Sequence, residues 1–85
     1  MRLDKFLKVS RLIKRRTLAN ELCDKGHAQI NGAMAKAGAE IRVGQRITLR
    51  MGARRLTVEV LQAPEKAVPA QLAETLYQVI SDETL

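Results

Sequence analysis

Lys14, Arg15 and Arg16 stand side by side immediately before Thr17, a residue type that caps helices. A helix opening there brings guanidinium forks, unpaired backbone N–H groups and the positive end of the helix dipole to one point, an arrangement that binds phosphate. Lys5 and Lys8 add two more cations upstream. The surrounding charge has the same sense. Of 15 Lys and Arg in 85 residues, nine fall in residues 1–36 against three acids, an excess of six, whereas residues 37–85 hold six of each. The net charge of +6 therefore belongs to the amino-terminal 36 residues, and a field gathered in one region attracts a polyanion where an even one mainly aids solubility.

No other residue set carries comparable chemistry. The single histidine is His27, the single thiol is Cys23, and the acids are scattered apart from Asp82-Glu83, so the convergent titratable groups that catalysis needs are missing from the pattern. No enzyme activity, metal or cofactor is expected. Cys23 reads as a small buried hydrophobe. His27 reads as a polar residue at a strand start, with a phosphate contact as the alternative reading. Gly44-Gln45 and Gly52-Ala53 read as turns, since they lack the lysine of a nucleotide-binding loop. Phe6 and Tyr77 are the only aromatic residues, too few to stack successive bases of a single strand. One cysteine closes no intramolecular disulfide and indicates a reducing compartment, with the cytoplasm as the default. Asp4, Lys5, Lys8 and Arg11 break any signal-peptide core, a basic mitochondrial presequence is the weaker alternative, and no apolar run is long enough for a membrane span.

The elements that must position these cations follow from periodicity. Leu3, Phe6 and Leu7 predict a short helix over residues 3 to about 10. A basic connector, residues 11–16, turns Leu12 and Ile13 inward. Thr17 is expected to cap a second helix whose Leu18, Ala19, Leu22 and Cys23 form one face and whose stop is Gly26. Ala28 and Ile30 alternate into Asn31-Gly32, which predicts a hairpin over residues 27–36. Ile41 and Val43, then Ile47, Leu49 and Met51, alternate with Arg46, Thr48 and Arg50 to give a half-buried strand with a basic outer face, and Leu56, Val58 and Val60 predict its antiparallel partner. Pro64 and Pro69 bracket a linker, after which Leu72, Leu76 and Ile80, with Ala73 and Tyr77, space like an amphipathic C-terminal helix. The expected fold is one α+β unit. Its two short N-terminal helices pack on a small bent antiparallel sheet over residues 1–62, and residues 63–85 form a linker and helix on the same domain.

Duplex DNA read by a helix-turn-helix competes with folded RNA as the polyanion. The second helix turns Asn20, Glu21 and Asp24 outward, two of them acids where a recognition helix faces phosphates, and the bases precede that helix rather than line it. That layout suits backbone and shape recognition of structured RNA.

Arg2-Leu3-Asp4-Lys5-Phe6-Leu7, then Arg11, Arg16-Thr17 and Ala19, then Gly26, Ile30-Asn31-Gly32, Lys36, and Val43-Gly44-Gln45 with Ile47 together resemble the S-four RNA-binding domain family over roughly residues 1–60. Ala28 and Ala37 depart from it, standing where a larger β-branched residue and a proline are usual. The resemblance implies a domain that binds structured RNA through its helical face. By position it implies RNA contacts at Arg2, Lys5, Arg11, Arg15 and Arg16, with Asp4 orienting one of them or capping the first helix. Lys8 and Lys14, from the charge placement, and Thr17 and Lys36, at matched positions, complete the candidate set. Arg15 and Arg16 are expected to be exposed alike, so that replacing both leaves folding intact.

Chains this short resemble the family's ribosome-associated quality-control members. That implies a role on a large ribosomal subunit obstructed by a stalled peptidyl-tRNA, in the cytoplasm that the single cysteine already indicates, and the chain is taken as a monomer. There it contacts ribosomal RNA and tRNA while a partner protein directs alanine tailing, with no membrane partner. The family's heat-shock members, which recycle stalled large subunits, are the alternative. They carry a long basic extension, whereas this chain closes on Ser81-Asp82-Glu83-Thr84-Leu85.

Overall fold

The computed structural model describes residues 1–66 and 68–85. Helix α1 spans Leu3–Val9 and helix α2 spans Arg16–Asp24, and the chain then enters strands β1 (Ala28–Ile30), β2 (Ala33–Met34), β3 (Arg46–Met51) and β4 (Arg54–Val60). A 3-10 segment, Ala70–Leu76, leads into β5 (Tyr77–Thr84). All strand pairs are antiparallel, in the order β2-β1-β3-β4-β5. The expected α+β fold, two helices on an antiparallel sheet, is present.

Local sequence explains most of it. Asn31 and Gly32 both have positive φ, 50° and 84°, as the tight hairpin turn between β1 and β2 requires. Gly26, φ 75°, ends α2: its N–H reaches the Cys23 carbonyl and the His27 N–H reaches the Leu22 carbonyl, both at 3.0 Å, which satisfies two of the orphaned carbonyls of the last turn. Ile47, Leu49, Leu56, Val58 and Val60 alternate into one buried sheet face, where they meet Leu3, Phe6 and Leu7 of α1 and Ala19 and Cys23 of α2.

Several expectations are corrected. The cap position of α2 is Arg15, with no side-chain cap, and Thr17 is exposed in the first turn. The inward stripe of α2 is Ala19 and Cys23, while Leu18 is 47% exposed. Ile41 is buried but Val43 is 64% exposed, so that residue belongs to a turn and β3 begins at Arg46.

The largest change is at the C-terminus. Helical structure covers only Ala70–Leu76, as 3-10 turns that bury Ala73 and Leu76, and residues 77–84 form a strand instead of continuing a helix to Ile80. The open edge of β4 decides this. Its unpaired N–H and C=O groups find partners only if Tyr77–Thr84 is extended, and seven residue pairs from Arg54↔Thr84 to Val60↔Tyr77 form. A register shift beside Thr57/Val58 leaves Ile80 as the extra residue of a bulge. Tyr77, Val79, Ile80 and Thr84 favour the strand as well.

Candidate nucleic-acid interface

α1 and α2 lie against each other on the core side of the sheet. Their shared surface is organised by one acid. Asp4, in the first turn of α1, has a side chain only 3% exposed. Its carboxylate accepts from Arg2 Nε and Nη2 at 3.2 and 3.3 Å, from Arg16 Nε and Nη2 at 3.4 and 3.5 Å, from Asn20 Nδ2 at 3.5 Å and from the Lys5 backbone N–H at 2.8 Å. A buried carboxylate is costly unless it is paired and hydrogen-bonded. Here that cost keeps two guanidinium groups from the start of the two helices together, each about half exposed (53% and 49%). Asp4 thus orients two of the candidate contacts rather than one, and does not bond its own helix beyond the Lys5 N–H.

Burial pushes the Asp4 pKa up, but the hydrogen bonds and charge of Arg16, then Asn20 and the Lys5 N–H, outweigh it and hold the group below its ordinary 3.8. The lowered native value makes the carboxylate's stabilisation complete above about pH 4 and lost as the pH falls through that native value. Asp4→Asn is expected to remove this part of the acid response, read as a smaller fall in thermal midpoint between about pH 5 and pH 2. The exposed acids Glu40, Asp82 and Glu83, also held low by hydrogen bonds and charge, keep the remainder.

Around this centre the other candidates fall into four groups. Lys5 joins Arg2 and Arg16 in lining one concavity beside Glu65, whose carbonyl accepts from Lys5 Nζ at 2.9 Å. Thr17 and Asn20 line the adjoining hollow with Asp4 and Arg16. Lys8, Arg11, Lys14 and Arg15 are exposed, and among the described residues none has an acid within ion-pair distance. Arg15 and Arg16 are therefore not alike: Arg15 is free at the uncapped start of α2, and Arg16 is held by Asp4. Lys36 lines a separate concavity with Asp24 and Lys25 at the far end of α2. Its loop nevertheless reaches the centre, since the Ala37 carbonyl accepts from the Asp4 N–H at 3.1 Å and Gly38 lies against the Arg2 guanidinium.

Asn20 escaped the sequence reading as a member of the centre. Its position one turn after Arg16 on α2 is the signal that places both on one face. The N-terminal ammonium is also engaged, 2.7 Å from Glu40 Oε1.

Arg11 follows the end of α1 with φ 63°, a conformation that costs a side-chain-bearing residue roughly 1–2 kcal/mol. Glycine fits there without that strain, although its unfolded chain has more entropy to lose. Arg11→Gly is expected to leave the thermal midpoint equal or slightly higher while weakening binding of folded RNA, which separates the side chain's role from the fold's.

Residues 1–47, which contain both helices, the hairpin and all of these cations, match the sequence profile of the S4 domain. The match spans more than half of the chain, and the chain belongs to that family, as its sequence resemblance implies. Within the family it is 49% identical over 85 residues to the RQC P-site tRNA stabilizing factor of Halalkalibacterium halodurans, covering all of this chain and 96% of that protein. It is 46% identical over 85 residues to the protein of the same name in Bacillus subtilis, covering 100% and 98%. Among solved structures it is similar to trimeric Heat Shock Protein 15 of Vibrio cholerae, with a TM-score of 0.86 and 32% identity over 95% of this chain and 82% of that one.

Proposed function

We propose that this protein is a non-enzymatic RNA-binding factor of ribosome-associated quality control, which binds tRNA and ribosomal RNA on a large subunit obstructed by a stalled chain. The observation that carries the reading is the pair of half-exposed guanidinium groups of Arg2 and Arg16 fixed on the buried Asp4. A fork held in place loses less freedom on meeting a phosphate than a mobile one, so the pair sets register on the RNA backbone. Lys5, Lys8, Arg11, Lys14 and Arg15 supply surrounding phosphate contacts, and the uncapped first turn of α2 adds backbone donors. Thr17 and Lys36 flank the face. The factor acts in the cytoplasm as a monomer beside the protein that directs alanine tailing. The name shared by its relatives, a stabilizer of P-site tRNA in quality control, supports the choice of RNA. Among the described residues no helix is long and apolar enough to cross a membrane.

Gradient fractionation of native lysate under translation stress tests this. Enrichment on large subunits that carry tRNA is expected, and recovery solely in ribosome-free fractions would contradict it. The second reading, a heat-shock-type factor that recycles stalled large subunits, draws on the likeness to Heat Shock Protein 15 at 32% identity, below the 49% and 46% of the quality-control relatives. Loss of alanine tails on stalled chains in a deletion strain favours the first reading, and unchanged tails favour the second. A DNA-binding regulator is the third. Displacement of bound tRNA by duplex DNA of equal charge would favour it, whereas resistance supports RNA shape recognition.

A further inference from the structure

The outer face of the sheet, across the core from the helices, carries a cation cluster that the proposed RNA face does not use. Arg50 of β3 stands directly opposite Arg55 of β4, which in turn faces Glu83 of β5. Like charges in register on one sheet face oppose folding. Only Arg55 is relieved, by Glu83 Oε2 at 3.0 Å, and among the described residues Arg50 has no acid within ion-pair distance. The neighbouring rung is uncharged, Gln29–Thr48–Thr57–Ser81, with the two threonine hydroxyls 3.1 Å apart. His27, whose carbonyl accepts from the Arg50 N–H at 2.9 Å, closes the other side.

These groups surround a cavity of about 220 Å³ lined by Gly26, His27, Gln29, Thr48, Arg50 and Arg55. Its lining residues Arg50, Arg55, Gln29 and Thr48 carry two guanidinium groups, a side-chain amide and a hydroxyl, and among the described residues no acid lines it. We propose that it is a second phosphate site, which takes the backbone of a second RNA segment while the helical face holds the first. The inference rests on the RNA-binding reading above and extends it, because the two sites lie on opposite faces of one layered domain and make the protein a clamp between two RNA backbones. A phosphodiester there lies between Arg50 and Arg55 and removes their repulsion. The fold accepts that repulsion on an otherwise neutralised outer face, where Arg46 is already paired with Glu59 at 3.7 Å.

The test uses the full chain and one probe, a 20-base-pair RNA duplex, read in two ways: gel shift of a single duplex, and capture of a labelled copy on an immobilised copy. The wild type is expected to do both. Arg50→Gln/Arg55→Gln is expected to shift a single duplex within about twofold of the wild type but to capture the second at least tenfold less, with a thermal midpoint near that of the wild type because relief of the like-charge pair offsets loss of the exposed Arg55–Glu83 ion pair. Glu83→Gln, which frees Arg55, is expected to increase capture. Undiminished capture by Arg50→Gln/Arg55→Gln overturns the second site. A wild type that shifts one duplex and never captures another overturns the second site alone, and a wild type that shifts none overturns the RNA-binding reading with it.

Discussion

Replacing Arg2 and Arg16 together by glutamine is expected to destabilise the domain by about 3 kcal/mol, the lower end of the range for breaking a buried ion pair. The cause is the carboxylate left behind. Asp4 is 3% exposed, and among the described residues it keeps only the Lys5 N–H and the Asn20 amide once the two guanidinium groups are gone. Both arginines are half exposed, so the reverse loss, removing the acid, strands no buried cation. Adding Asp4→Asn to the double variant is therefore expected to return most of the stability, since a neutral amide needs no counter-charge. RNA affinity is not expected to return with it, because the forks are still missing. Urea midpoints and RNA titrations on the wild type, the double variant and the triple variant separate the two effects. A double variant as stable as the wild type would show that Asp4 does not depend on these partners.

Phe6→Ala is expected to cost about 3–5 kcal/mol, a large share of the roughly 5–15 kcal/mol that stabilises a small domain. Phe6 is fully buried and is the largest side chain in the core. It sits on α1 between Leu3 and Leu7 and meets the sheet residues that hold both helices in place. The same helix carries Asp4, Lys5 and Lys8, so loss of its anchor also disperses the proposed RNA face. A parallel fall in urea midpoint and in RNA binding at 37 °C is the expected result. A variant that keeps the wild-type midpoint would mean that α1 is held by something other than its apolar stripe.

How far the sequence reveals this molecule depends on how local each cause is. Asn31-Gly32 and Gly26 announce a turn and a helix stop because the demand for positive φ acts within two or three residues. The alternation from Ile47 to Val60 announces its strands because each residue's facing follows from its neighbours. Tyr77–Thr84 does not, since Leu72, Leu76 and Ile80 fit a helix equally well until the open edge of β4 is known, and that edge lies some twenty residues earlier. The cap of α2 moved from Thr17 to Arg15 because no side-chain bond fixes it.

The site divides in the same way. Charge placement names its cations, but it cannot distinguish Arg15 from Arg16, because what separates them is the ion pair between Asp4 and Arg16, twelve residues apart. For that reason replacing Arg15 and Arg16 together is no longer expected to leave folding intact, whereas replacing Arg15 alone is. Asn20, expected to face solvent with Glu21 and Asp24, turns instead toward Asp4.

On the proposed reading the amino-terminal cations form one docking face for RNA phosphates. The most direct measurement is the slope of log affinity for tRNA against log salt, in the wild type and in Arg11→Gln/Lys14→Gln/Arg15→Gln, three exposed positions whose loss strands no acid. If each contacts one phosphate, the slope should flatten by about 2 to 3 while the thermal midpoint stays near that of the wild type. An unchanged slope would place the bound phosphates elsewhere and contradict the account.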